Sequence, residues 1–143
     1  MRSSPLRSEW RWPAAALLAE IAAIHIALVP QHLREAPYAA GLFIALSAAS
    51  LAVAALMLYR DDSPVWTAAG GLAAGAIAAY VLSRSIGLPM MSDDIGDWFN
   101  PLGIGAVGAE AITVVISLLI LRTAAATHPV GAPRPSPLAT GKA

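Results

Sequence analysis

Cysteine is absent from the 143 residues, and charge is scarce: nine Lys and Arg against nine Asp and Glu, 13% of the chain and a formal net charge of zero. Without cysteine there is no disulfide framework, no thiolate zinc site and no thiol nucleophile. Without a basic surplus there is no electrostatic footprint for nucleic acid, so none is expected as a partner. A disordered chain combines high charge with low hydrophobicity, and here the hydrophobic fraction is 57% and the mean hydropathy +0.65. Ordinary soluble domains carry about twice this charge and less apolar residue. Catalytic signatures are missing too: there is no G-x-S-x-G, no P-loop and no Rossmann turn. Gly103-Ile104-Gly105-Ala106-Val107-Gly108 matches G-x-G-x-x-G literally. It lies in an apolar run with no strand before it, so it reads as helix packing, and no enzyme is expected.

What is present is four apolar runs: about Ala14 to Val29, Tyr38 to Tyr59, Val65 to Leu88 and Leu102 to Leu121. A spanning helix needs about 20 mostly apolar residues. Backbone groups in lipid must be satisfied internally, which selects helices, and the alternation that lines a barrel lumen is not visible. Pro13 suits a first helical turn, Pro30 ends the first run, Asp61-Asp62-Ser63-Pro64 punctuates the second and third, and Asn100-Pro101 opens the fourth. The expectation is an all-α, up-down-up-down four-helix bundle over 13–122, with a cytoplasmic segment at 1–12 and a disordered cytoplasmic tail at 123–143. Arg2, Arg7 and Arg11 resemble the n-region of a signal peptide. Glu20 and His25 interrupt the apolar stretch and no clean A-x-A exit follows, so a retained span is expected.

Sorting cations by side gives an orientation. Arg2, Arg7, Arg11, Arg60, Arg122, Arg134 and Lys142 share one side, while the other has Arg34 and, at the rim, Arg84. Both termini are therefore expected in the cytoplasm of a multi-pass plasma-membrane protein. The loops at 30–37 and 89–100 then face outward, the second of them acidic. Trp10, Trp12, Tyr59 and Trp66 fall at the inner interface, Tyr38 and Trp98 at the outer one, where aromatic belts belong. Small residues let membrane helices approach. Gly71 and Gly75 form a G-x-x-x-G that reads as a contact inside the bundle rather than a dimer seam.

Ionisable residues inside a membrane are costly and are functional candidates by default. Counted from Pro30 and Pro101, Glu20 and Glu110 lie roughly 13–15 Å below the outer surface. His25 and Arg84 lie about 6–8 Å down by the same rise. Arg84 and Tyr80, four apart, share a helix face. The candidate cluster is Glu20, His25, Tyr80, Arg84 and Glu110, joined at the outer rim by His32, Asp93, Asp94, Asp97 and Trp98. Two readings stay open. One is an internal clasp in which Arg84 pairs with Glu110 or Glu20 while Tyr80 donates a hydrogen bond. The other is an outward site for a cation, a proton or a polar group. No cofactor is expected. The one metal set on offer is His25, His32, Met90 and Met91, whose imidazole and thioether donors suit copper, though no H-x-x-x-H or Met-x-x-Met spacing supports it. Bis-His haem needs histidines on facing helices, which one chain lacks.

The strings SRSIGLP (83–89), DDIGDWFNPLG (93–103) and HIALVPQHLREAPYAAGLF (25–43) resemble small four-span membrane proteins of high-GC bacteria. The resemblance covers most of the chain except the tail. It implies the four-span fold and a glutamate in the fourth helix, here Glu110, and carries no biochemical role. Two functions are expected from different classes: a non-enzymatic accessory or assembly subunit of a larger membrane complex, or a small transport or ligand-binding membrane protein using the outer polar cluster. The bilayer is a partner in both, with other subunits or self-association.

Overall fold

The computed structural model describes residues 8–127. It is all-α: α1 (Arg11–Glu35), α2 (Pro37–Arg60), α3 (Ser63–Ser85) and α4 (Pro101–Thr127), with one short 3-10 turn, Ser92–Asp94, between α3 and α4. All four helices are long and apolar enough to cross a membrane. Each packs on its neighbours in a ring, α1 on α2 and α4, and α3 on α4 and α2.

Connections are short where the sequence places turn chemistry. A single residue, Ala36, joins α1 to α2, with Pro37 in the first turn of α2, where its missing N–H costs nothing. Asp61 and Asp62 join α2 to α3. Asp61 takes a left-handed conformation (φ 40°) that aspartate tolerates, and Asp62 caps α3 through its carboxylate to the Val65 N–H. The longer connection, 86–100, turns at Gly87 (φ 76°), where any side chain would also meet the Ile95 side chain at 3.0 Å. Asn100 closes it by accepting the Gly103 N–H at 3.2 Å.

The two ends of the bundle differ. At the end carrying both termini, a close-packed core joins Leu18 and Ile21 of α1, Met57 of α2, Trp66 and Ala69 of α3 and Ile116 of α4. Trp66 is fully buried there, not at the lipid interface where its position in sequence puts it. Its indole N–H donates to Asp61 Oδ1 at 2.7 Å, and the second carboxylate oxygen accepts the Ser8 N–H at 2.6 Å. This clasp plugs the termini end. Trp10, Trp12 and Tyr59 are exposed around it, and Tyr38 and Trp98 are exposed at the other end. That loop end is looser. Its apolar cluster is small, Ala36, Ala39 and Met91 with Leu88 against them.

Helix boundaries depart from expectation in ways that matter for the site. Pro30 does not end α1, which runs a further turn to Glu35. An interior proline forfeits one backbone bond and crowds the carbonyl four residues back. Here Pro30 and Ile26 are both exposed near the helix end, so that carbonyl is not sealed in the core. At the other boundaries, α3 stops at Ser85, three residues before Leu88. The expected tail is helical through Thr127, and residues 128–143 lie outside those described, as do residues 1–7.

Candidate functional site

The boundary shifts reset every depth. With α1 ending at Glu35, His25 lies ten residues, about 15 Å, below the loop end. Glu110, nine residues into α4, is at a similar depth, about 13–14 Å. The two meet: His25 Nε2 stands 3.8 Å from Glu110 Oε1, with both side chains buried. His25 Nδ1 lies 2.8 Å from the Ile21 carbonyl, so Nδ1 carries the hydrogen and Nε2 is the nitrogen turned to the carboxyl. Glu110 is 1% exposed and makes no hydrogen bond among the described residues. A buried carboxyl is normally satisfied by donors, and here the nearest polar group is the His25 imidazole at 3.8 Å.

Glu20 does not join them. Five residues from His25 is about 140° of helix rotation, and the structure places Glu20 on the exposed outer face of α1. Nor does Arg84 pair with either glutamate. Because α3 ends at Ser85, Arg84 sits at the rim and reaches into the connection instead. Its guanidinium pairs with Asp94 at 2.8 Å, donates to the Asp94 carbonyl at 3.3 Å and lies 5.1 Å over the Tyr80 ring. The Gly96 N–H in turn donates to the Arg84 carbonyl at 2.9 Å. Tyr80 is a hydrogen-bond donor as expected, but to the Trp98 carbonyl at 2.9 Å. Tyr38, from α2, donates to the Pro89 carbonyl at 2.6 Å. The expected clasp between Arg84 and a glutamate is therefore not formed; Arg84, Tyr80 and Tyr38 instead tie the 86–100 connection to the helices.

What remains between the helices is a cavity of about 490 Å³, within the usual range for pockets that hold drug-sized molecules. His25 and Glu110 line its depth, and His32, Arg84, Asp94 and Asp97 line its rim. Its walls are apolar, with Leu28 of α1, Leu42, Phe43 and Leu46 of α2, Leu72 of α3 and Val107 of α4. His32, seven residues after His25 on the continued helix, shares its face. It too directs Nδ1 to a backbone carbonyl, that of Leu28 at 2.9 Å. Phe43 stands edge-on to both imidazoles, with ring centroids 5.2 and 4.7 Å away. Arg84 and Asp94 offset each other, which leaves Glu110 and Asp97 as the carboxyl groups on the lining without an ion pair to lysine or arginine among the described residues. The cavity has an acidic bias.

The copper set is only partly gathered. Met91 packs against Ala36 and Ala39 at the rim, but Met90 is turned outward and is 69% exposed. Among the described residues no three of His, Asp and Glu come together as a metal site. Asp93 is exposed and does not line the cavity, whereas Asp94 and Asp97 do.

Gly71 and Gly75 are not helix contacts. Both line the cavity, and a Cβ on either meets nothing within 4 Å. The close approaches lie elsewhere: a Cβ at Gly103 meets Tyr80 at 2.7 Å, and one at Gly70 meets Ser117 at 3.0 Å. Phe43 and the Asp61–Trp66 clasp carried no motif in sequence. The one available signal for the clasp was an Asp-Asp turn followed by a tryptophan.

No family model, curated protein or solved structure matches the chain. The functional reading therefore rests on the geometry alone.

Proposed function

We propose that this is a small, non-enzymatic membrane protein that binds a small molecule with an apolar body and one cationic group, a primary amine in the simplest case. The observation that carries the reading is Glu110, buried at the deep end of an apolar-walled cavity, facing His25 at 3.8 Å and without a hydrogen bond among the described residues. A buried carboxylate is costly until a donor or cation meets it. An ammonium group supplies both, while Phe43, Leu42, Leu46 and Leu72 accommodate the apolar body. The plugged termini end and the open loop end give the cavity one polar mouth. By the asymmetry of cations, that mouth faces away from the cytoplasm.

The test is a titration of the full chain in phosphatidylcholine nanodiscs with 4-phenylbutylamine and with 4-phenylbutanol, which has the same apolar body and no charge. Saturable binding of the amine with weaker binding of the alcohol is expected. Equal affinity for the two removes the role given to the carboxyl.

One observation favours a second reading, in which the protein is an accessory subunit or self-associates. Glu20 is exposed in the apolar stretch of α1, with no partner among the described residues and with Ala16, Ala19, Ala23 and Ala27 on the same exposed side. A lipid-facing carboxyl is costly, and small residues allow close helix approach. A Glu20→Leu chain that keeps its fold but loses a copurifying subunit or its own dimer supports this role. An unchanged assembly state opposes it.

A further inference from the structure

The side of the cavity between α2 and α3 is lined by small and exposed residues. At the termini end, Val53 and Met57 of α2 share a core with Trp66 and Ala69 of α3, and no residue of α3 belongs to the apolar cluster at the loop end, so a gap separates the two helices there. Where α2 and α3 separate, the residues that line the cavity are exposed. Leu42 of α2 is 62% exposed, and Gly71, Gly75 and Ala79 of α3 are exposed, the two glycines with empty space where side chains would stand. Every one of these residues is apolar. At membrane depth, a gap edged by apolar residues opens onto acyl chains, not water. Glu110, buried and without a hydrogen bond among the described residues, lies at the inner end of the same space.

We infer that the gap between α2 and α3 is a lateral portal, and that the ligand is a lipid-soluble amine that reaches Glu110 from the bilayer. This rests on the reading of the cavity as a binding site and names its ligand class: an amphiphile that partitions into the membrane first. The apolar body slides between Leu42 and the Gly71–Gly75 face while the ammonium moves inward to the carboxyl. Asp97 and the Arg84–Asp94 pair at the polar mouth do not lie on this path.

The chain contains no cysteine, so one introduced thiol reports on the route. Ala76→Cys, on the cavity wall, is reacted in phosphatidylcholine vesicles with a bilayer-dissolved N-dodecylmaleimide and, separately, with a water-soluble cationic methanethiosulfonate. Both reactions are repeated with Gly71→Leu and Gly75→Leu added to fill the gap, at positions where a Cβ meets nothing within 4 Å. The leucines are expected to slow the bilayer reagent by about tenfold or more and to leave the aqueous reagent within about twofold, which also shows an intact fold. An unchanged maleimide rate, or no maleimide reaction at all, overturns the portal. A failed portal is therefore distinguishable from a failed binding site, which the amine titration tests separately.

Discussion

His25 and Glu110 face each other across the seam between α1 and α4, Nε2 to Oε1 at 3.8 Å, both buried and neither hydrogen-bonded to another side chain among the described residues. The imidazole is oriented from behind by the Ile21 carbonyl, so it presents one fixed nitrogen to the carboxyl. In that arrangement the carboxyl is the anchor for a cation and the imidazole its support. His25→Leu is then expected to keep the fold and weaken 4-phenylbutylamine binding by roughly three- to tenfold, the worth of one modest polar contact. A loss as complete as that from Glu110→Gln, in the same titration, makes the imidazole the anchor instead.

The glycines separate into two classes. Gly103→Ala drives a methyl to within 2.7 Å of the Tyr80 ring and displaces the donor of the Trp98 carbonyl. It is expected to lower stability by about 1–3 kcal/mol, as overpacking does. Gly75→Ala meets open space and gains helix propensity, so it is expected to be neutral or stabilising by up to about 1 kcal/mol. Thermal unfolding of the two variants in one detergent gives the comparison. Equal destabilisation by both contradicts the cavity-facing placement of Gly75.

Arg84 organises the connection through both the side chain and the carbonyl of Asp94. Arg84→Ala removes those donors and leaves Tyr80 without its cation. The expected result is faster amide exchange across 92–98 by about tenfold or more, consistent with loss of about 1.5–3 kcal/mol of charge-assisted bonding. Exchange in the helices stays near the parent rate. Uniform acceleration through all four helices points to a global role and contradicts a loop clasp.

At the termini end, Trp66→Phe keeps most of the buried ring and leaves Asp61 Oδ1 without its indole donor. A cost of about 1–3 kcal/mol is expected for the stranded acceptor. Asp61→Asn in addition is expected to cost less than the sum of the two single changes, since both touch one bond. Additive unfolding costs dissolve the clasp.

The sequence made the four helices legible because long uncharged runs with proline, aspartate and asparagine at their borders leave few alternatives in lipid. It made Glu110, His25, His32, Tyr80 and Arg84 legible as candidates because so few polar residues interrupt those runs. Their pairing was not legible, since it depended on boundaries a turn apart. The continuation of α1 through Pro30 lowers His25 to the level of Glu110, and the early end of α3 lifts Arg84 to the rim beside Asp94. Glu20 was misplaced by rotation rather than depth, since it turns away from the His25 face. Gly71 and Gly75 show the limit of a packing motif: the spacing permits close approach, and the structure uses it instead to leave a wall without side chains.

The most direct measurement is the affinity of 4-phenylbutylamine for the full chain and for Glu110→Gln in the same nanodiscs. The amide keeps the shape of the side chain and removes its charge. Affinity is expected to fall by about 2–3 kcal/mol, roughly 30- to 150-fold, the scale of truncating one partner of a buried charge pair. The fold, read by unfolding temperature, is expected to be unchanged. Amine binding within about twofold of the parent in Glu110→Gln contradicts the assignment of Glu110 as the anchor of the site.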